Sequence, residues 1–115
     1  MAEETDKTTI DEKLKKYVNL ILSSIKVDKI ILFGSYAKGN THEFSDIDLA
    51  VISPELDLNK SSLYNLRKVK EKMNLIDPDL QLIAFPTEQF ETENTVEKYF
   101  IQEIKKTGKL LYSSK

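Results

Sequence analysis

The chain contains no cysteine. Disulfides, thiol nucleophiles and thiolate zinc sites are therefore excluded, and the composition suits a reducing cytoplasm. The only histidine, His42, lies in the polar stretch Asn40-Thr41-His42-Glu43-Phe44 and reads as a solvated loop residue. No apolar run approaches the ~20 residues of a membrane-spanning helix. The first residues, Met1-Ala2-Glu3-Glu4-Thr5-Asp6-Lys7, are polar and acidic, unlike a secretory signal or a basic transit peptide. Positive charge is not in excess either. The formal net charge is −2, which argues against an extended nucleic-acid surface. Repeats and low-complexity tracts are absent.

What remains is a chain of 115 residues, 40% hydrophobic, of the size of one small domain. Residues 1–8 read as a disordered N-terminus and 9–115 as the domain itself. Thr9-x-x-Glu12 has the capping-box form, and Ile10, Leu14, Tyr17, Val18, Ile21 and Ile25 follow at helical spacing, which predicts a helix over about 9–25. Strands are expected over about 28–33 and 46–52, the second closed by Ser53-Pro54. A second helix is expected over about 59–74, with Leu63, Leu66, Val69 and Met73 inward and its lysines in solvent. Asp77-Pro78 turns the chain into a strand over about 79–85, ending before Pro86. Thr95 is the expected cap of a last helix that buries Val96, Phe100, Ile101 and Ile104 and stops at Gly108. Leu110-Leu111-Tyr112 is a short final strand. The fold class is α+β, a small mixed β-sheet with helices packed mainly on one side.

Chemistry concentrates in one stretch. Ile31-Leu32-Phe33 runs into Gly34-Ser35, and Ser45-Asp46-Ile47-Asp48-Leu49-Ala50-Val51 returns. Gly34 permits a sharp turn and close approach of a ligand to the backbone. Ser35 is a residue type that caps helices, and a helix start offers free N–H groups to an anion. Lys38 is either a cation near a phosphate or, as most lysines are, solvated. On a strand, Asp46 and Asp48 share a face, while Ile47, Leu49 and Val51 turn to the core. Two carboxylates roughly 7 Å apart call for water or a cation between them, and Mg²⁺ takes such hard oxygen ligands together with substrate phosphates. The Asp-x-Asp pair alone is a weak signal, since Asp77-Pro78-Asp79 repeats it. Gly34-x-x-x-x-Gly39 is not a P-loop, because Asn40 stands where the phosphate lysine is required. Asp46-x-Asp48 is not an EF-hand, because Ala50 and Val51 occupy the next ligand and glycine positions.

Gly34-Ser35, ten intervening residues from Tyr36 to Ser45, and then Asp46-Ile47-Asp48 resemble the minimal nucleotidyltransferases of the DNA polymerase beta-like superfamily. Ala37, Lys38 and Gly39 also fit that family's Gly-Ser-x-Ala-Arg/Lys-Gly form, and the resemblance is strong over about Lys29–Ile52 and weak elsewhere. It implies a nucleotidyltransferase-like sheet. It also implies Mg²⁺ held by Asp46 and Asp48, and the triphosphate of ATP or another NTP on Gly34, Ser35 and Lys38. The acceptor would be a hydroxyl group. The family places a third acid on a neighbouring strand. Asp79 in that position would complete a catalytic set with Asp46 and Asp48. The pattern Ile-Asp-Pro-x-Ile-Glu of some relatives, laid on Ile76-Asp77-Pro78-Asp79-Leu80-Gln81, instead puts Gln81 there, an amide with no charge and no basicity. Minimal members pair with small helical HEPN-type partners as antitoxins and transfer AMP to a partner tyrosine. The alternative is a catalytically weakened antitoxin or nucleotide-binding module that neutralises its partner by binding alone. A third reading is a structural domain without a ligand. A homo-oligomer stays open.

Overall fold

The computed structural model describes residues 2–34, 47–74 and 80–114, and side chains from residue 12 onward. In chain order the elements are α1 (Ala2–Ser24), β1 (Lys29–Phe33), β2 (Ile47–Ser53), α2 (Ser62–Met73), β3 (Leu80–Pro86), α3 (Thr87–Thr92), α4 (Lys98–Thr107) and β4 (Lys109–Ser113). The strands form one mixed sheet in the order β3-β2-β1-β4. β1 is antiparallel to both β2 and β4, whereas β2 and β3 are parallel and joined through α2. A parallel pair needs such a crossover.

Alternation along the strands sorts the core into two layers. Ile30 and Leu32 of β1, Ile47, Leu49 and Val51 of β2, and Leu80, Leu82 and Ala84 of β3 pack with Tyr17 and Ile21 of α1 and Val69 and Met73 of α2. The two long helices thus share one face, as expected. On the other face Ile31, Ala50, Ile52 and Phe85 pack with Phe90 of the short α3 and with Ile101 and Ile104 of α4. Being central and covered on both sides, β2 is buried at every position except Asp48. A strand covered on both faces reads as a near-continuous apolar run, and Asp48 is the charged break in it.

Several local expectations need correction. α1 begins at Ala2, so Thr9 lies inside the helix rather than at its cap. α3 was not anticipated, because six residues with one buried side chain, Phe90, carry too little periodicity to read. β3 runs through Pro86, which an edge strand tolerates because its outer N–H has no ladder partner to lose. Thr95 does not cap α4, whose N-cap position is Glu97, and Val96, ahead of the helix, is 98% exposed. In α2 Leu63 faces solvent and Asn65 is fully buried. The cap of α2 is Ser61, whose hydroxyl accepts from the Tyr64 N–H.

The burial of Asn65 has a clear cause. Its Oδ1 accepts from the Asp57 N–H and its Nδ2 donates to the Asp57 carbonyl, both at 3.0 Å, pinning the loop after β2 onto α2. Asn65→Leu would leave both backbone groups unpaired, which costs about 1–3 kcal/mol. The urea unfolding midpoint should fall accordingly, and an unchanged midpoint would show that the loop is not held this way.

Candidate functional site

β1 ends at Phe33, and the chain turns at Gly34 with φ of 75°. This left-handed backbone is open to glycine and costly for other residues. The turn lies directly against β2. A Cβ added at Gly34 would overlap Oδ2 of Asp48 and come within 3.2 Å of its Cγ. Gly34 is therefore required twice, for its backbone angle and for the space the Asp48 carboxylate occupies.

Across the sheet Asp48 is in register with Phe33 on one side and Gln81 on the other. Residues directly opposite share a face, so Phe33, Asp48 and Gln81 form one row. The next row, Ile31, Ala50 and Ile83, belongs to the layer under α3 and α4. The carboxylate thus stands at the end of the sheet, in the row whose Phe33 still packs against that layer. Asp48 is half-buried and Gln81 exposed.

Of the residues expected from the sequence to form a site, Gly34 and Asp48 are brought together. Ser35, Lys38, Asp46 and Asp79 lie outside the described residues, as do His42 and the Asp77-Pro78 turn. The residue in register with Asp48 on β3 is the amide Gln81. Among the described residues no three His, Cys, Asp or Glu side chains converge on a common point. The donor chemistry still fits Mg²⁺. Asp48 supplies a hard anionic oxygen set against the glycine turn, and the sequence sets Asp46 two positions before it.

An aromatic group beside this row was not foreseen as part of the site. The Phe33 ring meets Phe100 of α4 edge to face, with centroids 5.7 Å apart and planes at 80°. Phe85 lies 6.4 Å from Phe100 and 6.1 Å from Phe90. The sequence places Phe33 directly before Gly34, which is the signal that could have flagged it. Further along, Glu93 ties α3 to α4: its carboxylate accepts from Lys105 Nζ at 2.8 Å and Gln102 Nε2 at 2.9 Å. These two partners, Lys105 first, hold the Glu93 carboxyl below its ordinary value.

Comparison with known proteins identifies the family and the fold. The family model "Polymerase beta, Nucleotidyltransferase" matches residues 10–115. A relative named "Putative protein adenylyltransferase MJ0141", from Methanocaldococcus jannaschii, is 43% identical over 47 residues, 41% of this chain and 46% of that protein. The matched segments span about half the length of the curated relatives. Among solved structures, a "putative nucleotidyltransferase" from Sulfolobus solfataricus superposes with a TM-score of 0.64 at 18% identity, covering 88% of this chain and 78% of the other. A toxin–antitoxin structure with AMP-PNP gives a TM-score of 0.56 at 25% identity, covering 88% and 73%. A tri-AMPylated Shewanella oneidensis HEPN toxin in complex with its MNT antitoxin gives 0.50 at 23% identity, covering 87% and 69%, a likeness of fold. With the family model spanning nearly the whole chain, and a glycine turn set against the second Asp of the Asp-x-Asp pair, this chain belongs to the polymerase beta nucleotidyltransferase family.

Proposed function

We propose that this chain transfers AMP from ATP to a hydroxyl acceptor in a Mg²⁺-dependent reaction, the acceptor being a tyrosine of a HEPN-type helical partner. The observation that carries the reading is the packing of Gly34 against the Asp48 carboxylate at the end of the sheet. The adenylyltransferase name of the relatives supports it. So do the AMP-PNP and AMPylated-toxin complexes among the structural neighbours, for the nucleotide and the partner respectively. A cytoplasmic setting accords with the lack of cysteine.

In this reading Asp46 and Asp48 hold Mg²⁺, and the Gly34 N–H, Ser35 and Lys38 bind the outer phosphates. The bound cation would supply Lewis-acid stabilisation of the charge on the phosphate oxygens. The acceptor oxygen forms a bond to the α-phosphorus, the α–β bridging bond breaks, and pyrophosphate leaves. Asp79, if it reaches the acceptor, takes the hydroxyl proton. If Gln81 alone faces the acceptor, it can accept a hydrogen bond and orient the hydroxyl but cannot take the proton, which then passes to solvent.

Titration of ATP into the folded protein, with and without Mg²⁺, tests the site. Mg²⁺-dependent binding is expected, and a folded protein that binds no ATP in either condition would overturn the reading.

One observation favours a second account. The residue in register with Asp48 is an amide, not an acid, so the chain could retain nucleotide and neutralise its partner by occlusion. A tightly bound partner carrying no added nucleotide would select that account.

A further inference from the structure

We propose that Phe100, backed by Phe33, is the base-stacking residue of the nucleotide site. The inference rests on the reading that ATP is held at Gly34 and Asp48, and it names the element that grips the other end of the same molecule.

Phe33 stands opposite Asp48 in the sheet and immediately precedes Gly34. Directly opposed side chains have Cβ atoms about 5 Å apart, and the Phe100 ring centre lies 5.7 Å beyond that of Phe33. Phe33 is thus the one side chain between Asp48 and Phe100, so a nucleotide anchored at the carboxylate can extend along this row toward the aromatic pair. Its orientation is fixed by apolar neighbours, since it meets both Phe33 and Phe85 near edge-on, at 80° and 62°. The following core positions of α4, Ile101 and Ile104, are buried, yet Phe100 remains 38% exposed. A rigid aromatic ring, locked by its inner contacts and open beside an anion-binding turn, has the properties a purine needs for stacking. Tyr99 does not offer the same surface. Consecutive helix positions point about 100° apart, and Lys98 Nζ already sits 5.3 Å from the Tyr99 ring centre.

The test compares two ligands by calorimetry in the presence of Mg²⁺. ATP carries the base, and inorganic tripolyphosphate does not. Phe100→Leu keeps most of the packing volume and removes the π face, whereas Phe100→Trp keeps it. The Leu variant should bind ATP about tenfold more weakly with unchanged tripolyphosphate affinity, and the Trp variant should bind ATP as well as the parent chain. ATP affinity in Phe100→Leu within about twofold of the parent would overturn the proposal. An equal loss of both ligands would overturn it too, since that would mark a purely structural residue. Loss of partner binding or transfer with ATP affinity intact would assign Phe100 to the protein acceptor instead. A parent chain that binds neither ligand would refute the nucleotide reading itself, an outcome distinct from failure of the Phe100 assignment.

Discussion

Asp48→Asn is expected to abolish Mg²⁺-dependent ATP binding, lowering the affinity on the order of a hundredfold or more, as loss of a charged metal ligand implies. The substitution preserves shape, so the contact with Gly34 survives and the fold should persist. What disappears is a half-buried anionic oxygen at the end of an otherwise buried strand. A half-buried position on β2 given to a charge carries some cost to folding, and a second carboxylate, Asp46, stands two positions before it. Melting temperature should therefore change by no more than a few degrees while binding is lost. Calorimetric titration together with a thermal melt reads both quantities. An Asp48→Asn protein that still binds ATP only when Mg²⁺ is present would remove Asp48 from the site.

Gly34→Ala should be nearly as damaging, for a different reason. The left-handed backbone at Gly34 costs an L-residue about 1–2 kcal/mol, and the new methyl group would overlap the Asp48 carboxylate. One of the two must move. A melting temperature lowered by roughly 5–10 °C would reflect the backbone term. Displacement of Asp48 should weaken ATP binding by at least about tenfold beyond what the stability loss explains, since a ligating group shifted by a fraction of an ångström loses its geometry. The control is temperature. Well below its melting point the variant is folded, so any residual loss of affinity belongs to the site. Unaltered binding there would show that Gly34 serves only the turn.

The sequence made much of this fold readable because strands β1 and β2 and helices α2 and α4 follow clean apolar periods. It misled where a polar contact outweighed the pattern. Leu63 fits the apolar stripe of α2, but Asn65 takes an inward place because two hydrogen bonds to Asp57 repay its burial. Val96 fits the stripe of α4 but precedes the first helical turn. The glycine turn and the carboxylate were legible as residue types at a characteristic spacing. Their contact was not, because it depends on how β1 and β2 pair across the residues between them. The same holds for Gln81. Parallel pairing of β2 with β3 is set by packing through the α2 crossover, and no apolar period separates a register on Gln81 from one on Asp79. Only the family pattern laid on Ile76-Asp77-Pro78-Asp79-Leu80-Gln81 points to Gln81, the residue found in register. Phe100 is a similar case, since only the tertiary structure brings α4 beside the end of β1.

The most direct measurement follows the label from ATP into protein, using the chain co-expressed and purified with a HEPN-type helical partner. Transfer of radioactivity from α-labelled ATP, none from γ-labelled ATP, and loss of transfer in Asp48→Asn is the predicted result. Label arriving from the γ-position, or a nucleotide-bound complex that transfers nothing from the α-position, would contradict it.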